Sequence, residues 1–139
     1  MQTFLPYSDF KKTASVLDRQ RLGKQRVETM QIMQCFVKPT RWKNHPAVKM
    51  WKNYPWALLV YQTCIVTEWT DTRGYRDTCL IKTIDTFSKL ENTNIGVYPD
   101  WLGNYDFHLS HQSNLLRKKP EHYSQYFNVP VNLNYIWPK

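Results

Sequence analysis

The chain has 139 residues, with 19 Lys or Arg against 11 Asp or Glu, giving a formal net charge of +8 at pH 7. This length predicts a single domain over 1–139, and the basic charge indicates a polyanionic partner, nucleic acid before a membrane. Three cysteines without a CxxC spacing argue against a zinc site or disulfide framework, and favour a reducing compartment and an intracellular protein.

The first seven residues predict a short extended arm, because Pro6 disfavours helix at the residue before it. They do not have the pattern of a signal peptide, and the longest apolar run, at 57–66, is too short to span a bilayer. Ser8 is a candidate N-cap for a long first helix, which we expect from about Asp9 to Val37 with a bend near Gly23.

This first helix contains a dense run of charge, Leu-Asp-Arg-Gln-Arg-Leu-Gly-Lys-Gln-Arg-Val-Glu. On a helical wheel Lys24 and Glu28 can pair at i,i+4. Arg19 and Arg26 instead fall in line with the apolar stripe. Two interpretations remain open: both arginines extend along apolar surface to reach water, or they meet an anionic ligand in a cleft at the glycine between them.

The rest of the sequence also predicts helices joined by irregular loops. A central helix is expected from Pro55 to about Thr70, with Leu58 and Trp69 buried, because the segment is apolar over most of a wheel. Other helices are expected to begin at Pro46, where proline suits the first helical position, and to cover about 76–90, 105–118 and 120–127, followed by an irregular tail at 129–139.

Alternating strand patterns are almost absent from the sequence. The predicted fold is therefore all-α, a single compact multi-helix domain with a long first helix and irregular loops. In the helix at 76–90 we expect Leu80, Ile81, Ile84 and Phe87 to face the core.

Aromatic and basic side chains are close in sequence at two places: Trp42 and His45 lie in a basic loop, and Tyr123 and Tyr126 follow Arg117 and Lys118. Such combinations suit base stacking beside phosphate contacts, although helix-terminal charge and core packing explain them as well. His108 and His111 have a spacing that metals use, but no carboxylate or cysteine companion accompanies them. We therefore expect hydrogen-bonding histidines, with no metal and no cofactor.

Several short motifs together resemble the pyrimidine dimer DNA glycosylase family (phage endonuclease V type). They are Leu-Gly-Lys-Gln-Arg-Val-Glu in the first helix, Asn-His-Pro-Ala-Val-Lys-Met-Trp, His-Gln-Ser-Asn-Leu-Leu-Arg-Lys, and Lys119-Pro120 followed by Tyr123 and Tyr126-Phe127. The resemblance implies a DNA-repair glycosylase/AP lyase that acts on damaged bases in double-stranded DNA, and we expect a monomer.

In that family the α-amino group of residue one attacks C1′ of the damaged nucleotide, and an imine and β-elimination follow. α-Amines suit this role because their ordinary pKa of about 8 leaves more neutral amine at pH 7 than lysine does. A helical glutamate stabilises the sugar cation, and arginines hold the phosphates of kinked DNA. The resemblance therefore assigns the nucleophile to Met1, which the large Gln2 should protect from removal.

The family glutamate has no direct counterpart when the chains are aligned on Arg26-Val27 without a gap. Glu28 is the favoured substitute, and Asp18 is the alternative. The implied DNA-binding residues are Arg19, Arg21, Lys24, Arg26, Trp42, His45, Arg117, Lys118, Tyr123 and Tyr126. Two other functional hypotheses remain open beside the glycosylase/AP lyase: a non-catalytic nucleic-acid-binding module on the same fold, and an enzyme of nucleotide or modified-base chemistry.

Overall fold

The computed structural model describes all 139 residues and contains helices but no strands, which confirms the all-α prediction. The helices are α1 (Phe10–Val16), α2 (Arg19–Val37), α3 (Pro46–Lys49), α4 (Pro55–Thr67), α5 (Cys79–Phe87), α6 (Tyr105–Lys118) and α7 (Pro120–Tyr123). A π-helical turn, Glu68–Thr72, extends α4. The arm (1–7) and the tail (129–139) are not helical. None of the helices is long and apolar enough to cross a membrane.

Helix α4 lies at the centre of the core and contacts α1, α2 and α5. Its Leu58, Tyr61 and Ile65 are fully buried, as the apolar character of this sequence segment predicts. Trp69, which the sequence pattern assigns to the same helix, lies on the π-helical turn and is only half-buried. Its indole packs on Gly23 of α2, where an added Cβ would lie 3.1 Å from the ring. Because Gly23 has no side chain, the indole of Trp69 can pack directly on the backbone of α2.

The predicted long first helix is two helices, because the chain breaks at Leu17 and Asp18 rather than bending near Gly23. Side chains from distant parts of the chain bind the carbonyl groups that α1 leaves free at this break. The guanidinium of Arg73 donates to the carbonyl of Leu17 at 2.7 Å, and the imidazole of His122 lies 2.8 Å from another such carbonyl. The cap of α1 is Asp9, not Ser8.

The face that helix α5 turns to the core is rotated from the predicted one: Leu80 and Phe87 are half-buried, and Phe87 packs against the core. Ile81 is 72% exposed and Ile84 is 48% exposed, whereas Thr83 and Thr86 are buried. Both threonine hydroxyls donate to the carbonyl four residues earlier, so their burial leaves no unpaired polar group. These compact side chains face α2 and α4, against which α5 packs.

The arm is extended and buried from residue 2 to residue 6, yet it has no partner strand. Side chains of α2 and α4 replace that partner. The amide of Gln25 accepts from the backbone N–H of Phe4 and donates to the carbonyl of Gln2, both at 3.0 Å. The hydroxyl of Tyr61 donates to the carbonyl of Phe4 at 2.6 Å. The cost of burying this polar backbone is thereby offset by hydrogen bonds.

Two histidines of α6 complete the attachment of the arm. Nδ1 of His108 donates to the carbonyl of Leu5 at 2.8 Å, and Nδ1 of His111 accepts from the Leu5 N–H at 2.9 Å. Nε2 of His108 accepts from the N–H of Gly103. Burial lowers the pKa of His108, and burial together with neighbouring His108 lowers the pKa of His111 to about 3. Protonation of either ring at its accepting nitrogen would break a backbone hydrogen bond.

The free energy of unfolding should therefore fall as the pH is lowered from 7 to 5. In this range the unfolded chain binds protons at both histidines, whose ordinary pKa is 6.5, while the folded chain resists them. His111 alone should account for a loss of about 2 kcal/mol. Urea unfolding at pH 7, 6 and 5 measures it, and the His111→Asn variant should show a shallower dependence. Equal stability at the three pH values would contradict this account.

Candidate active site

A cleft of about 300 Å³ opens where the arm crosses α2. Met1, Gln2 and Glu28 line it together. The backbone N–H of Gln2 donates to Oε2 of Glu28 at 2.7 Å, so the carboxylate contacts the backbone immediately after the N-terminal amine. Asp18, the alternative carboxylate, does not line this cleft.

Asp18 forms a buried pair with Tyr123. The tyrosine hydroxyl donates to the Asp18 carboxylate and accepts from the Asp18 N–H at 3.0 Å. Burial alone would raise the pKa of Asp18, but this hydrogen bond and the guanidinium of Arg21 outweigh it and lower the pKa. Tyr123 is fully buried and belongs to the core, so it is not part of a surface that DNA could contact.

Cations surround the cleft unevenly. Lys24 and Lys118 are exposed, line the cleft and form no ion pair, so the predicted Lys24–Glu28 pair is absent. Arg21 also lines the cleft, but its guanidinium lies 3.3 Å from Asp18. Arg117 donates to Asn114 and to the tail carbonyl of Val131, which directs it away from the cleft.

The charges of the N-terminal amine and of Glu28 also act on His45. It caps α3, its Nδ1 accepting from the N–H of Ala47 at 3.0 Å. Burial is the main reason that the pKa of His45 is lowered, and the positive charge of the N-terminal amine lowers it further. The negative charge of Glu28 acts in the opposite direction. Trp42 packs edge-on against His45, with ring centroids 5.6 Å apart. The predicted pair of aromatic residues in the basic loop therefore lies near the N-terminus.

A second, more open cleft of about 740 Å³ adjoins the first, since Lys24 and Glu28 line both. The side chain of Arg19 lies over the ring of Tyr75 at 5.2 Å, and Tyr75 packs on Trp69 with centroids 4.4 Å apart. Arg26 lies over Trp69 at 4.4 Å and pairs with Asp77 at 2.7 Å. The two arginines thus differ: Arg26 is ion-paired and half-buried, whereas Arg19 has no carboxylate partner.

Comparison with known protein families assigns this chain to one of them. The model of the family described as pyrimidine dimer DNA glycosylase matches residues 1–83. The chain belongs to the pyrimidine dimer DNA glycosylase family. The matched segment includes the arm, α2 and Glu28, while α6, α7 and the tail lie beyond it. Comparison with curated proteins and with solved structures finds no significant match.

Membership in this family indicates a DNA-repair glycosylase with DNA as its substrate. Of the predicted DNA-binding side chains, Arg19, Lys24 and Lys118 are free cations around the two clefts. Tyr126 is 43% exposed but lines neither cleft.

Sequence reasoning missed several residues that line or support the two clefts. Gln25 appears in the sequence as an ordinary polar residue of a charged helix, and nothing local indicates that it is fully buried. Tyr135 and Trp137 line the cleft from the tail, and Lys119 lines the second cleft. The aromatic content of the tail was the only signal for the first two.

Proposed function

We propose that this family member removes damaged bases, such as pyrimidine dimers, from double-stranded DNA and then cleaves the strand as an AP lyase. The nucleophile is the α-amino group of Met1, and Glu28 is the assisting carboxylate. The observation that supports this most strongly is the hydrogen bond from Gln2 to Glu28 in a cleft that Met1 also lines.

The proposed reaction begins when the amine nitrogen forms a bond to C1′ of the damaged nucleotide. The C1′–base bond breaks, and its electron pair leaves with the base, which takes up a proton. Loss of a proton from nitrogen and opening of the sugar ring give an imine. Removal of a C2′ proton then expels the 3′ phosphate and breaks the strand. Glu28 stabilises positive charge on the sugar as the base leaves.

The position of the arm determines which nitrogen can react. The amide nitrogen of Gln2 contacts Glu28, so the amine of Met1 lies one residue further along the same cleft. Removal of Met1 would leave an amine at Glu28, but N-terminal glutamine cyclises to a lactam that is not nucleophilic. The proposal therefore requires that Met1 is retained, and the intact mass of the purified protein tests this directly.

Phosphate binding in this proposal uses the free cations around the clefts, which are Arg19, Lys24, Lys118 and Lys119. Arg21 and Arg26 already have carboxylate partners, so they support the walls of the clefts and contribute less to DNA affinity. Trp42 and His45 provide aromatic surface near the amine, where an unstacked nucleotide could pack.

A removable N-terminal extension should abolish strand cleavage at abasic sites and leave DNA binding nearly unchanged, because it converts the nucleophilic amine into an amide. Proteolytic release that restores Met1 as the first residue should restore activity, which provides a control with an identical chain. Glu28→Gln should slow base removal by about 100-fold or more with little change in affinity. The glutamine oxygen can still accept from Gln2, so the arm should stay in place.

Full activity in the extended protein would overturn the assignment of the amine. Tight binding without cleavage or imine formation by the unmodified chain would instead support a non-catalytic DNA-binding module.

Affinity for duplex DNA should fall steeply with salt, with a slope of about −0.9 for each phosphate contact. Lys24→Gln and Lys118→Gln should each reduce that slope by about one contact. Lys52→Gln is a matched control, because it removes one exposed charge outside both clefts. Fluorescence anisotropy at several salt concentrations gives the slopes. Equal slopes for the three variants would show that these clefts do not bind the phosphates.

A further inference from the structure

The tail has no hydrogen bond between backbone groups, and side chains of α6 hold it in place. Oγ of Ser113 accepts from the N–H of Leu133 at 3.1 Å, and the amide of Asn114 donates to the Leu133 carbonyl at 3.0 Å. One turn earlier, Oγ of Ser110 accepts from the N–H of Ile136 at 3.2 Å. Polar residues in one row on α6 thus fix the path of the tail.

This path brings two aromatic rings of the tail into the cleft that holds Met1 and Glu28. The ring of Tyr135 packs edge-on against His111, with centroids 5.3 Å apart, and Trp137 packs edge-on against His45 at 5.8 Å. Both rings are half-buried and are therefore held in place by the core while still reaching the cleft. Burial raises the pKa of Tyr135 to about 12, so its hydroxyl is uncharged at physiological pH.

We infer that Trp137 is a specificity-determining residue, whose indole packs against the base attached to the sugar that the amine attacks. This inference rests on the proposed function and adds the group that recognises the base. A planar base needs an apolar surface beside the reacting carbon, and every base presents a face that stacks on aromatic rings. The polar groups that line the same cleft, such as Lys24 and Glu28, suit the phosphate and the sugar rather than the base.

The tail therefore adds an aromatic ring to the cleft, and a nucleotide can stack on this ring only while it carries its base. An abasic nucleotide offers the same sugar and phosphates but no partner for Trp137. Ser110, Ser113 and Asn114 act as positioning residues in this scheme, because they hold the tail and do not line the cleft.

The test compares two duplexes of the same sequence, one with a single pyrimidine dimer and one with an abasic site. Trp137→Ala should lower kcat/KM for base removal by about tenfold or more. Borohydride trapping of the same variant on the abasic duplex should stay within about twofold of the unmodified chain, because no base is present to stack. Trp137→Phe should recover most of the loss.

Ile136→Ala is the matched control, since it truncates an exposed neighbour that does not line the cleft. It should leave both activities unchanged, while Asn114→Ala should reproduce the selective loss by releasing the tail. Urea unfolding of each variant separates these effects from loss of the fold.

Equal losses on the two duplexes in Trp137→Ala, or no loss on either, would overturn the assignment of Trp137 alone. Absence of any trapped imine with the unmodified chain would overturn the proposed function and this assignment with it.

Discussion

The arrangement of the N-terminus depends on the fully buried side-chain amide of Gln25. Its oxygen and nitrogen bind the backbone of Phe4 and Gln2, as a neighbouring strand would, and the hydroxyl of Tyr61 shares its proton between the Phe4 carbonyl and this same oxygen, 2.8 Å away. A buried backbone without these partners would carry unpaired polar groups, each of which costs about 1–3 kcal/mol. The arm can therefore be extended and buried only where this amide meets it.

Helix α2 provides both this support and polar side chains that line the cleft. Gln25 fixes the arm, and Glu28, three residues further on, accepts from the N–H of Gln2. Lys24 lies between the two clefts with no ion pair. Because all three side chains belong to one helix, their spacing is fixed by helical geometry, and a site on such an element is more precise than one on a loop. The tail then adds aromatic rings from the other end of the chain.

The sequence predicted the features that depend on local pattern. The all-α class followed from helical periodicity, and the burial of Leu58 followed from an apolar segment. The candidate role of Glu28 came from resemblance, and its contact with the arm is a feature of the structure. Features that depend on partners distant in sequence could not be predicted from local pattern. Arg73 stabilises the break after α1, and Asp77 forms an ion pair with Arg26. The rotated face of α5 was missed for a different reason: two threonines can be buried because their hydroxyls bond within the helix, which a pattern of apolar residues does not reveal.

The proposed function requires that the buried arm presents the α-amine of Met1 to the substrate beside Glu28. Its most direct test is to reduce the protein with borohydride on abasic-site DNA, digest the complex, and locate the attached sugar by mass spectrometry. Attachment at the α-nitrogen of Met1 is the expected result. Attachment at Nζ of Lys24, which lines the same cleft, would contradict it.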